Sequence, residues 1–176
     1  MSPEEIREWS KFGILTVGGC LALRTYIVGQ RQRRLENSLK LLDIFFENLE
    51  ENDLSEWKRI FVNSSEPSGA KYGYFHSSHN QQIKFEYLFS EGPDDNGANN
   101  RIVQQIDLIA YDALKGTIDL RFIYSQLGQL MNTTYSWFGD GDNSIIAKHY
   151  PHFNKLMKKH SSKFKNWPTK VYSYCE

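Results

Sequence analysis

The sequence predicts an all-α protein in which a long N-terminal helix, for membrane insertion or oligomerisation, precedes a small helical bundle. Three observations carry this. A helix-start signal at Ser2-Pro3 opens a stretch with no firm stop before about Glu51. Phe12 to Leu23 is twelve residues without a charge. Behind it, apolar residues recur at three- and four-residue steps in several separate segments, the period of a helix with one buried face.

Ser2 offers a hydroxyl cap, Pro3 takes the first helical position, and Glu4 and Glu5 face the positive end of the helix dipole. Gly13, Gly18, Gly19 and Gly29 weaken the first half of this helix. In its second half Leu35, Leu39, Leu42, Phe46 and Leu49 fall on one stripe. Asp53-Leu54-Ser55-Glu56 reads as a capping box that opens a short helix through Trp57 and Phe61. Asn63 to Gln82, rich in Ser, Gly, Asn and Tyr, reads as a loop. Ile83 to Phe89 alternates as a strand does, but a lone strand has no partner, so a helix is expected there. Glu91 to Asn100 is a second loop with clear breakers.

Ile102, Ile106, Ile109, Ala110 and Ala113 then mark an amphipathic helix stopped by Gly116. Another runs from about Ile118 to Trp137 with Phe122, Ile123, Leu127, Leu130 and Met131 inward. Gly139 to Asn143 is a turn. The last helix, Ser144 to about Lys159, kinks or begins afresh at Pro151. The expected organisation is an anchor and oligomerisation helix over 1–30, a helical bundle over 31–160, and a basic, solvated tail over 161–176.

Charge is balanced, 21 basic residues against 21 acidic, so it argues for no partner. Its distribution is uneven: seven lysines and no carboxylate lie between Lys148 and Cys175, while Asp43 to Asp53 is acidic. Phe164, Trp167 and Tyr172 interleave with those lysines, a composition that can touch anionic lipid or nucleic acid. Cys20 and Cys175 form no disulfide framework, which suits a reducing compartment for the body. The start does not read as a secretory signal, because acids outnumber bases ahead of the apolar run and arginines follow it.

Phe12 to Val28, with Arg24 admitted, spans about 26 Å as a helix, just short of a hydrocarbon core of about 30 Å. Arg24 costs about 2.5–3.5 kcal/mol at mid-membrane and less near an end, where it snorkels. Arg31, Arg33 and Arg34 supply a basic flank that puts the body on the cytoplasmic side. Gly18, Ala22, Thr25 and Gly29 share one face, as small residues do where helices pack closely in lipid. Cys20, Arg24, Ile27 and Arg31 share the opposite face, which a ring of helices would turn towards a lumen. Two other readings of the segment stand beside this one: a helix buried in a soluble oligomer, and a glycine-weakened core helix.

Candidate chemistry is sparse. His149 and His152 are three residues apart with no acid beside them, a poor zinc pair. Asp140, Asp142 and Asn143 lack the twelfth-position glutamate of a calcium loop. No phosphate-cradling glycine loop or nucleophile elbow is present, and no cofactor is expected. Helical ribonucleases of the HEPN type set Arg four to six residues ahead of His. Here Lys148 and His152 are the nearest stand-in, with a cation that lacks the bidentate fork. Lys148, His149 and His152 are therefore the candidates for RNA contact.

An anchor, a basic patch and an amphipathic helix lead into Ser55-Glu56-Trp57-Lys58-Arg59-Ile60-Phe61. Further on come Ile106 through Ala113, then Gly116-Thr117-Ile118-Asp119 and Tyr150-Pro151-His152-Phe153. Together, over most of the chain, these stretches resemble a bacterial family of short, N-terminally membrane-anchored helical domains. Its look-alikes include the small membrane accessory encoded beside the RNA-guided, RNA-cutting nuclease of type VI-B CRISPR systems. The resemblance implies a non-enzymatic homo-oligomer in the bacterial inner membrane that forms a pore and strengthens antiviral defence. Its implied partners are membrane lipid, further copies of itself, and an RNA-guided nuclease or the RNA that nuclease produces. A degenerate HEPN-like ribonuclease or RNA binder, and a soluble helical interaction module, are the alternatives.

Overall fold

The computed structural model of the chain describes residues 3–63, 74–76, 82–84, 97–139 and 144–170. The start signal at Pro3 opens a single 45-residue helix, α1 (Pro3–Glu47), about 68 Å long at 1.5 Å per residue. The remaining helices are α2 (Asp53–Asn63), α3 (Ala98–Lys115), α4 (Leu120–Phe138), α5 (Ile145–His149) and α6 (Pro151–Phe164). The all-α architecture, a long first helix ahead of a small bundle, is therefore as expected. α3 lies at the centre, touching α1, α2, α4 and α6.

Only the last turns of α1 join the core. Ser38, Leu42 and Phe45, at four- and three-residue steps, are buried against the bundle. The expected stripe holds at Leu42 and, in part, at Leu49, but it is rotated elsewhere: Leu35, Leu39 and Phe46 remain exposed. The reason is polar. The Ser38 hydroxyl donates to Arg34 O at 2.7 Å and accepts the Asp119 N–H at 2.8 Å, so the helix crosses the bundle at a serine that a hydrophobic pattern passes over.

The turn after α1 departs from the expected capping box. The Asp53 carboxylate accepts the Glu50 N–H at 2.9 Å and a two-point pair from Arg101 at 2.9 and 2.5 Å, tying the α1–α2 turn to α3. The first intrahelical bond of α2 runs from Glu56 N–H to Asn52 O instead. Burial pushes the Asp53 carboxyl upward. The Arg101 and Glu50 hydrogen bonds and the guanidinium charge outweigh it and hold the group below its ordinary value.

Ala98–Lys115 buries Ile102, Val103, Ile106, Ile109 and Ala110 and stops where expected. Gly116 adopts φ 73°, and its N–H bonds back to Ala113 O. Three residues on, Asp119 caps α4 by accepting the Phe122 N–H at 3.1 Å. Ile123, Leu127, Leu130 and Met131 are buried as expected, Phe122 is half-buried, and Tyr124 joins the core. Pro151 begins a new helix rather than kinking one. Tyr150 leaves helical geometry at φ −130°, and Asp107 of α3 accepts the Phe153 N–H at 2.7 Å, capping α6 from outside.

Tyr74–His76 and Gln82–Lys84 pair antiparallel, with Phe75 opposite Ile83. This corrects the loop expected up to Gln82 and the helix expected from Ile83, whose remaining residues 85–89 lie outside the described residues. The missing pairing partner was inside the segment read as loop. The turn at 140–143 and the tail beyond Lys170 are likewise outside the described residues.

The expected solvated tail is mostly exposed, but it is docked through particular groups as far as Lys170. Phe164 is 5% exposed and stacks on Tyr124 at 4.2 Å, and the Tyr124 hydroxyl donates to Phe164 O at 2.9 Å. The Lys170 N–H donates to Ser125 O at 2.6 Å, and Thr169 rests on Gly128, where a Cβ would collide with it. Apolar side chains among the lysines, rather than net charge, decide this docking.

Two measurements test these joints. Arg101→Met should lower stability by about 3–5 kcal/mol, because it strands a buried carboxylate. Glu50→Gln, removing the more exposed partner at 3.2 Å, should cost under about 1 kcal/mol. Denaturant unfolding of the detergent-solubilised protein reads both. Burial, then Lys163 and Lys159, holds His160 below its ordinary value of 6.5. The unfolded chain therefore takes up that proton first as pH falls. Its contribution to stability should be complete above about pH 6.5 and shrink below it, and His160→Gln should flatten the melting temperature between pH 7 and 5.

Candidate functional site: an uncovered apolar helix

The sequence makes residues 12–28 of α1 helical and apolar on every side, so no single docking face can cover them. Every residue from Lys11 to Val28 is exposed, Ile14 and Leu15 at 74%. Within Lys11–Glu47 an 18-residue window reaches a mean hydropathy of 1.5 with none of it buried. By length and composition this helix can cross a membrane. The magnitude is decisive. The large apolar side chains at 12, 14, 15, 17, 21, 23, 26, 27 and 28 would each gain about 1.5–3 kcal/mol on leaving water. Discounted for the part of each side chain that its own helix already covers, their sum is comparable with the whole stability of a typical domain, about 5–15 kcal/mol.

The two threonine hydroxyls inside the run are satisfied within the helix: Thr16 donates to Phe12 O at 2.8 Å and Thr25 to Leu21 O at 2.9 Å. Gly18, Ala22, Thr25 and Gly29 lie along one side, and a Cβ added at Gly13, Gly18, Gly19 or Gly29 would meet nothing within 4 Å. The chain's own packing therefore does not require those glycines, although each costs about 1 kcal/mol of helix propensity. Cys20, Arg24, Ile27 and Arg31 are exposed on the other side.

The joint between this helix and the body was not legible as a site. Asn37 donates to Thr117 O at 3.1 Å, one residue before Ser38 engages Asp119. Both contacts fall on the α3–α4 turn, and α1 passes through them without a break. The signal was present as Ser38-x-x-x-Leu42-x-x-Phe45, the same step pattern with a serine in it.

The structure separates the RNA-contact candidates. Lys148 and His149 are exposed on α5. His149 lines a groove of about 670 Å³ with Asn100, Gln104, Asp107, Leu108 and Tyr150. The His152 ring instead meets Tyr111 edge-on at 5.0 Å, and the Lys115 ammonium lies 4.0 Å from the same Tyr111 ring. In the groove Tyr150 donates to Asn100 Oδ1 at 2.6 Å, and Asp107 is engaged in capping α6. Burial and then the Asp107 charge push the Tyr150 phenol up to about 12, so it is a neutral donor at pH 7 and no base. Among the described residues the groove is lined by no arginine or lysine, and no three metal-ligating side chains converge.

No family model, curated protein or solved structure matches the chain.

His149→Ala and His152→Ala should leave membrane association and oligomer size unchanged and cost no more than about 1 kcal/mol, the worth of an aromatic edge contact. Chemical crosslinking and thermal melting of the two variants check this. A selective loss of RNA retention at unchanged size would revive the RNA reading.

Proposed function

We propose that the protein is a non-enzymatic, single-pass membrane protein that self-associates through α1 and opens the bilayer as a pore. Its role is that of an accessory in antiviral defence. The observation that carries the reading is the uncovered apolar helix, continuous with a packed body and joined to it without a linker. Arg31, Arg33 and Arg34 sit where the apolar run ends, which favours a cytoplasmic body beneath the bacterial inner membrane.

Self-association accounts for glycines that this chain does not itself need. Gly18, Ala22, Thr25 and Gly29 pack helix on helix, while Cys20, Arg24, Ile27 and Arg31 line a lumen in which Arg24 repels cations. The defence role rests on the resemblance to the family of the type VI-B CRISPR accessory, with an RNA-guided nuclease or its RNA product as the activating partner. The ribonuclease alternative gains nothing from a groove without a cation. The soluble-module alternative requires other copies to cover 12–28 in water.

The intact protein should require detergent and run as an oligomer. Among the described residues, removing 1–30 takes away no fully buried side chain, so it should release a soluble helical body. Gly18→Leu, whose Cβ would meet nothing within 4 Å in the chain, should abolish assembly while leaving helicity intact. Arg24→Glu should preserve assembly and turn the reversal potential of reconstituted bilayers towards cations. A clean monomer in plain buffer sinks the anchor, and oligomers that pass no current sink the pore.

A further inference from the structure

Outside the apolar run, α1 still presents uncovered apolar side chains. Leu35, Leu39 and Phe46 are 41%, 47% and 43% exposed beside a body that has already taken Leu42 and Phe45 into its core. These residues are not scattered. Leu21, Val28, Leu35 and Leu42 recur every seventh position, and Leu39 and Phe46 fill the alternate positions of the same seam. The phase passes unbroken from the membrane stretch, under the arginines and down to the body.

We propose that Leu35 and Leu39 form a parallel coiled-coil seam with a second copy of this chain, just outside the bilayer. This rests on the reading of α1 as a self-associating membrane helix, and it adds a second, water-exposed interface to that reading. Three observations select a second copy as the occupant. Copies anchored by the same helix stand parallel, which brings each seam residue opposite its own counterpart. Gln32 occupies a core position of the seam, where a lone polar residue fixes register at some cost in stability. Arg31 and Glu36 flank the seam on opposite sides, five residues apart. That is the spacing at which flanking charges of parallel, in-register helices reach each other. Glu36 already holds Gln32 at 3.0 Å within its own helix, so the register residue and the charged pair meet at one level.

Full-length protein reconstituted in lipid vesicles, with Cys20→Ser and Cys175→Ser, tests the seam by oxidation of single cysteines. Leu35→Cys and Leu39→Cys should give disulfide-linked dimers. Ile44→Cys should not, since Ile44 is exposed to the same 47% as Leu39 but lies on the opposite side of the helix. Arg31→Glu and Glu36→Arg should each reduce the oligomer recovered after crosslinking, and the double swap should restore it. Equal dimer yields at Ile44 and Leu39, or a double swap no better than its parents, overturns the seam. If the unsubstituted protein crosslinks as an oligomer while that happens, the seam alone has failed. If it remains a monomer in the vesicles, self-association through α1 has failed with it.

Discussion

One continuous helix has to satisfy two surroundings, and the rest of the structure follows from how little of it the bundle can cover. The short helices behind α1 bury Ser38, Leu42 and Phe45 and leave residues 11–28 bare on every side. Among the described residues no second layer wraps this helix, and exposing such an apolar surface to water is unfavourable. The hydrophobic effect thus splits α1 into a docked end and a free end without any break in its backbone.

Polar joints hold the docked end. Ser38 bridges the α1 backbone and the Asp119 amide, Asn37 reaches Thr117 O, and Asp53 ties the following turn to Arg101 on α3. Each joins α1 or the turn after it to the central helix or its exit turn, and α1 runs from these joints into the exposed stretch without a break.

Several polar groups of the body are engaged within the fold. Its groove spends Asp107 on capping α6, keeps Tyr150 protonated, and turns His152 away to Tyr111. The lysines of α6 and the segment after it are spread around an apolar anchor made by Phe164 and Trp167 against Tyr124. They lie on a packed surface rather than on a free tail.

Local signals determined much of this protein by themselves. Pro3, Gly116, Ser144 and Pro151 set helix boundaries because backbone conformation at those residue types is restricted or uniquely permitted. The length and uniform apolarity of 12–28 marked the exposed helix, since no amphipathic face was there to dock. What only tertiary structure decided were the places where a polar or distant partner overrides the pattern. Ser38 faces the core because Asp119, far away in sequence, offers an amide. Asp53 leaves its local cap because Arg101 outbids the Glu56 amide. Gln82–Lys84 is a strand because Tyr74–His76 lies alongside to pair with it, and the chain after 160 packs because Tyr124 and Gly128 provide a ring and a gap. Periodicity records which face is apolar, but not which group across the fold will complete a hydrogen bond or close a contact.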